Sequence, residues 1–182
     1  HTNDIRNPNN VKPVRKDGGG PANDRLYRNN EIETSEISFT DVTLQAGILH
    51  DGLGLGVGTA DINEDGWEDI FVTNDFIAND YLYINQQDGA FKEMSKTYFG
   101  HTSHFSMGND LADFNNDGLV DAITLDMLPN DNYHRKKMAG PMNNDLFKYS
   151  LELGFAPQNM RNTLQLNRGT VDNVQLGFSE IG

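Results

Sequence analysis

Apolar and polar residues alternate in short bursts along most of this chain, each burst bounded by Gly, Asn, Asp or Pro. "RLYRN" (25–29), "ISFTDVT" (37–43), "LGLGVGTAD" (53–61), "WEDIFVTN" (67–74), "DYLYIN" (80–85) and "GAFKEMS" (89–95) are short β-type runs between turn residues and read as β-strands. Residues 1–23 carry Pro8, Pro13, Pro21 and the triplet Gly18-Gly19-Gly20, and read as a polar arm or long loop. "NNDLFKYSLELG" (143–154) fits a short helix, with Asp145 near its start and Gly154 as its stop.

The strand pattern repeats. "NDRLYRNN" (23–30) matches "NDYLYINQ" (79–86) and, more weakly, "RNTLQLNR" (161–168). "GVGTADINEDGWEDIFVTND" (56–75) matches "SMGNDLADFNNDGLVDAITLDM" (106–127). "FTDVT" (39–43), "FKEMS" (91–95) and "FSEIG" (178–182) fill one further slot. A period of about 50 residues with about four short strands is the pattern of a β-propeller blade. The predicted class is therefore all-β: a partial β-propeller of about two four-stranded blades plus half a blade. Its parts are the arm 1–23, the last strands of a preceding blade at 24–45, a blade at 53–96, and a second blade at 104–182. The second blade carries an irregular or short-helical insertion at 129–160, read as a surface elaboration, with binding loops as the alternative. Propellers typically close with 4–8 blades. The expectation is a segment of a longer protein, or a ring completed by other chains. The start "HTNDIRNPNN" lacks Met and a signal-peptide pattern and reads as a processed product or an excised piece.

Charge adds the chemistry. Asp and Glu number 27 against 14 Lys and Arg, a net charge of −13. Such a chain suits cations and not nucleic acid, whose phosphates need Lys and Arg. Cysteine is absent, which excludes disulfides, thiolate metal sites and a cysteine nucleophile. No apolar run is long enough for a transmembrane helix. The acids concentrate in "DINEDGWED" (61–69) and "DFNNDGLVD" (113–121), both of the form D-x-N-x-D-G-x-x-D. The candidate metal ligands are Asp61, Asn63, Asp65, Trp67 (by its carbonyl) and Asp69, then Asp113, Asn115, Asp117, Leu119 (carbonyl) and Asp121. Alternate oxygens converge when such a loop curls, and the Gly permits the sharp turn. Oxygen-only ligands with several carboxylates suit Ca²⁺, about two ions in all, with Glu64 and Glu68 left to solvent. Position twelve is Val72 in one loop and Thr124 in the other, so the bidentate Glu of an EF-hand is missing.

These two stretches resemble FG-GAP/VCBS repeats, the calcium-binding blades also found in the integrin α-subunit head. The surrounding text, from "DRLYRNN" through "FSEIG", resembles a bacterial branch that often carries an ASPIC/UnbV module, which is not visible here. The resemblance implies the two calcium sites named above. It implies an extracellular or outer-membrane-associated location, and a binding or scaffold role towards protein or glycan rather than catalysis.

Other groups carry weaker signals. His101 and His104 are three apart, without a third nitrogen or sulfur ligand nearby, and read as loop hydrogen-bonding residues. "HRKKM" (134–138) reads as a solvated charge run, with an acidic glycan, an anionic headgroup or an acidic partner as the alternative. Tyr81, Tyr83, Trp67 and Phe71 read mostly as packing between blades. No G-x-S-x-G, P-loop or dinucleotide fingerprint is present. A calcium-dependent polysaccharide-degrading enzyme is the alternative function, with His101, His104, His134 and Arg135 as its candidates. A purely structural ring-filler is the third.

Overall fold

The computed structural model describes residues 12–30, 37–129, 131–138, 144–171, 174–175 and 177–181. The first eleven residues of the expected arm and part of the 129–160 insertion lie outside these. The strands are β1 (Tyr27–Asn29), β2 (Phe39–Asp41), β3 (Gly54–Ala60), β4 (Asp69–Asn74), β5 (Tyr81–Asn85), β6 (Phe91–Glu93) and β7 (Thr102–Ser103). They continue as β8 (Ser106–Ala112), β9 (Asp121–Asp126), β10 (Gln158–Asn159), β11 (Thr163–Asn167), β12 (Thr170–Val171), β13 (Val174–Gln175) and β14 (Phe178–Glu180). Three short helices accompany them: α1 (Ser95–Tyr98), α2 (Asn132–Met138) and α3 (Asn144–Glu152). No helix among the described residues is long and apolar enough to cross a membrane.

The chain is thus mostly β, as its alternation predicts. Two four-stranded sheets dominate, in the orders β3-β4-β5-β6 and β8-β9-β11-β14, and both are antiparallel meanders. Neither closes on itself. Their first strand pairs share one irregularity, a register shift between Gly54 and Gly56 and another between Ser106 and Gly108. A bulge of this kind increases the local twist. A third unit has two strands, β1-β2.

The first sheet lies in the middle. Towards the second sheet it buries Phe71, Leu82 and Ile84 with Ile62, Tyr98 and Phe99, against Leu111, Ala122, Val120 and Phe178. Its other face buries Val72, Tyr81 and Tyr83 with Ala46 and Ile48, against Leu26 and Val42 of the β1-β2 unit. Leu82 and Tyr83 are 0% exposed, and full burial of such a side chain contributes about 1.5–3 kcal/mol. The first strand of the second sheet packs closely on the first sheet: Asn109 Nδ2 of β8 donates to Thr73 Oγ1 of β4 at 3.0 Å, and a Cβ at Gly56 of β3 would lie 3.0 Å from Gly108 Cα of β8.

The described part of the insertion holds two short helices. Helix α3 begins one residue before Asp145 and ends just before Gly154, whose φ of +95° stops it. Helix α2 precedes it and carries the basic cluster, with Asp131 Oδ1 accepting the His134 N–H at 3.0 Å as an N-terminal cap. The segment that follows returns to the sheets: Asn79 and Ala156 exchange two hydrogen bonds, of 2.8 and 3.2 Å, and β10 pairs parallel with β7.

Candidate metal centre

Each acidic loop joins the first and second strands of a four-stranded sheet. Ala60 faces Asp69 across the first pair and Ala112 faces Asp121 across the second. The turn between them is built from side chain to main-chain hydrogen bonds, because the short Asp and Asn side chains reach N–H groups only a few residues ahead.

In the first loop the Asp61 carboxylate accepts the N–H groups of Asp65 at 3.0 Å and Gly66 at 2.8 Å. Asn63 Oδ1 accepts the Asp65 N–H at 3.2 Å, and Asp65 Oδ1 accepts that of Trp67 at 3.0 Å. The second loop repeats this set bond for bond. Asp113 accepts from Asp117 at 3.1 Å and Gly118 at 2.9 Å, Asn115 from Asp117 at 2.9 Å, and Asp117 from Leu119 at 2.9 Å. The backbone repeats too: φ is +59° at both Glu64 and Asn116, +88° at Gly66 and +92° at Gly118. The Gly118 N–H is the largest of the influences that hold the Asp113 carboxyl below its usual range.

The ninth position behaves differently. Asp69 and Asp121 are both 0% exposed. Asp69 accepts the Ile62 N–H at 3.0 Å and the Asn85 N–H at 2.8 Å. Asp121 accepts those of Phe114 at 3.0 Å and Asn167 at 2.8 Å. These carboxylates pin the loop to its own sheet. Burial raises the Asp69 pKa; its two N–H partners oppose that, while the charges of Asp65 and Asp61 add to it. Asn167 also ties the two loops together, donating through Nδ2 to the carbonyls of Ile62 at 2.9 Å and Val120 at 3.2 Å.

Among the described residues, no three His, Cys, Asp or Glu side chains are grouped so as to hold a metal by themselves. The loops offer a mixed set of carboxylate, amide and main-chain oxygens. An sp² oxygen that accepts one N–H keeps a second lone pair, so these hydrogen bonds shape the loop without using up its donors. Oxygen-only donors of this kind fit a hard cation such as Ca²⁺. Trp67 is 48% exposed rather than packed between sheets, and Glu64 and Glu68 are exposed as well.

The four residues considered for catalysis are not assembled. His104 is buried, with Nδ1 3.3 Å from Gln158 Oε1, and burial lowers its pKa. His101 Nε2 stands 3.5 Å from Glu180 Oε2. On α2, His134 Nδ1 lies 2.6 Å from Asp131 Oδ2 and Arg135 Nε donates to the Pro129 carbonyl. No hydrogen bond or ion pair among the described residues joins any two of the four.

At the opposite ends of the strands lies a polar cluster that spacing does not reveal. Asp80 is 2% exposed and accepts the Asn74 N–H at 2.9 Å. Asp126 Oδ2 accepts the Ser103 hydroxyl at 2.5 Å and the N–H groups of His104 at 3.2 Å and Phe105 at 3.0 Å. The available signal was the dipeptide Asn-Asp before "RLY" and "YLY", repeated at 23–24 and 79–80.

Residues 61–124 match the family described as FG-GAP-like repeat. The match takes in both acidic loops and the strands between them, and it supports the FG-GAP family for this stretch. No curated protein matches the chain.

Proposed function

We propose that this chain is a calcium-braced segment of a β-propeller, acting as a binding or scaffold module of a larger secreted or surface protein and not as an enzyme. The observation that carries the reading is the duplication of one loop. Two D-x-N-x-D-G-x-x-D turns share every side chain to main-chain hydrogen bond within the loop, sit at the same place in two matching meanders, and fall inside one FG-GAP-like match. Ordinary hairpin turns do not need several acids apiece, whose mutual repulsion a divalent cation relieves. Asp61, Asn63, Asp65, the Trp67 carbonyl and Asp69 hold one ion; Asp113, Asn115, Asp117, the Leu119 carbonyl and Asp121 hold the other.

The remaining blades complete the ring around the two sheets. The insertion supplies contact surface for a protein or glycan partner: Tyr133 is 63% exposed, and Lys137 Nζ stands 4.5 Å above its ring. A bacterial surface or secreted location follows from the resemblance of the repeats.

The test is a thermal melt of chelator-stripped protein against free calcium. A ligand that binds only the folded state raises the midpoint as its concentration exceeds the dissociation constant. The expected result is a midpoint that climbs with calcium and not with magnesium. A midpoint indifferent to calcium would sink the proposal.

A further inference from the structure

The β1-β2 unit ends in a polar socket that both complete sheets fill. In three places a polar side chain stands two residues before the leucine of a third strand: Asp24 before Leu26, Asp80 before Leu82, and Asn162 before Leu164. In the first sheet Asp80 Oδ1 accepts the main-chain N–H of Asn74, the last residue of β4, at 2.9 Å. In the second, Asn162 Oδ1 accepts the N–H of Asp126, the last residue of β9, at 2.8 Å. The side chain therefore anchors the end of the neighbouring second strand. Among the described residues, no such strand lies beside Asp24. Its Oδ2 is buried and accepts no hydrogen bond from a described residue.

Register shows that Asp24 occupies the equivalent place. Tyr27 pairs with Asp41, Tyr83 with Glu93 and Gln165 with Glu180; Asn29 pairs with Phe39, Asn85 with Phe91 and Asn167 with Phe178. The β1-β2 unit thus superposes on the last two strands of each sheet. Next to Asp24 opens a cavity of about 430 Å³, lined among others by Leu26, Ile48, Val57, Val72 and Tyr83. The Tyr83 hydroxyl is also buried, without a hydrogen-bond partner of normal geometry among the described residues. On the second sheet the matching surface is covered by the first sheet. There Asn109 is half-buried against Thr73, whereas Val57, which holds its place in β3, is 70% exposed.

We infer that this groove receives a strand-turn-strand element of the D-x-N-x-D-G-x-x-D type, whose second strand gives its last main-chain N–H to Asp24. The inference rests on the propeller reading and names the partner of one particular face. The occupant brings apolar side chains on alternate positions to meet Leu26, Ile48, Val57 and Val72, and a polar group for the Tyr83 hydroxyl. A second copy of this chain does not supply it, because both of its own elements of this kind are already paired within their sheets.

A fluorescein-labelled peptide of residues 53–75, which carries both strands and the acidic turn, is titrated with the full chain in calcium and followed by anisotropy. Saturable binding is expected. Asp24→Ala should weaken it by about tenfold or more, since a hydrogen bond to a charged acceptor is lost. Asp24→Asn should stay within about threefold, because an amide oxygen fills the same role at Asn162. Equal binding by the wild type and Asp24→Ala would overturn the inference, and so would no binding by the wild type. A concentration-dependent dimer abolished by Asp24→Ala would overturn it as well, by giving the groove to a second copy. Asp24 lies outside both acidic loops, so the calcium-dependent melt of Asp24→Ala keeps the wild-type shift. Failure of the peptide with that shift intact removes the socket alone; loss of the shift in the wild type removes the propeller reading beneath it.

Discussion

At the residue scale, the ninth acid of each loop holds structure even without a cation. Asp69 is completely buried and satisfies two main-chain N–H groups, and removing it strands both donors. Asp69→Ala should lower the unfolding free energy in chelator by about 2–4 kcal/mol, read from urea denaturation. Asp61→Ala, at the mouth of the loop, should cost clearly less under the same conditions; equal losses would refute the distinction. The local half of each site was legible in the sequence, because its bonds join residues two to five apart, as from Asp61 to Asp65 and Gly66. The other half was not. Asp69 reaches Asn85 across 16 residues and Asp121 reaches Asn167 across 46, and only the folded sheet brings these together. Asp80 escaped for the same reason. Burial raises its pKa to about 7, and the nearby charge of Asp126 adds to that, against the N–H of Asn74 and the hydroxyl of Ser106. The folded state then holds this proton more tightly than the unfolded chain, whose Asp titrates near 3.9. The associated stability is complete below about pH 4 and is lost as the pH rises through about 7. Asp80→Asn should flatten that decline in chelator-treated protein; unchanged slopes would contradict it.

At the scale of elements, the meanders follow from alternation and turn chemistry. Each strand up to β6 falls within a stretch that reads as a strand, though the hydrogen-bonded part is shorter: "ISFTDVT" yields only Phe39–Asp41. Helix α3 was legible through Asp145 and Gly154. Helix α2 was overlooked although Asp131 offered a capping signal, because the basic run behind it has no apolar stripe to read. The two-residue parallel pair β7-β10 has no local signature at all, being set by the return of the chain from the insertion. Close approach between sheets supplies a sharper test. A Cβ at Gly56 would lie 2.6 Å from Thr73 Oγ1 and 3.0 Å from Gly108 Cα. Gly56→Ala should therefore destabilise the protein by about 1–3 kcal/mol through overpacking, measured by the same denaturation. A neutral effect would mean that the first strands of the two sheets are not held this tightly.

For the molecule as a whole, the two sheets are unequal neighbours although their topology is the same. The first buries an apolar cluster on each face, although Val57 in its first strand stays 70% exposed. On the second, Leu125 is 52% exposed, whereas Thr73 at the matching position of β4 is 0% exposed beneath the second sheet. A stack of repeats explains this difference, since each sheet completes the burial of the one before it. On the calcium reading proposed above, the acidic loops brace the stack, and because Asn167 joins both loops, cation binding is expected to be coupled to the packing between sheets. Stoichiometry tests that claim most directly. Chelator-stripped wild type, Asp61→Ala and Asp113→Ala are titrated with calcium by calorimetry. Two ions for the wild type and one for each variant are predicted, with the single tryptophan, Trp67, changing its emission in Asp113→Ala but not in Asp61→Ala. No calcium uptake by the wild type, or a stoichiometry that neither substitution alters, would contradict it.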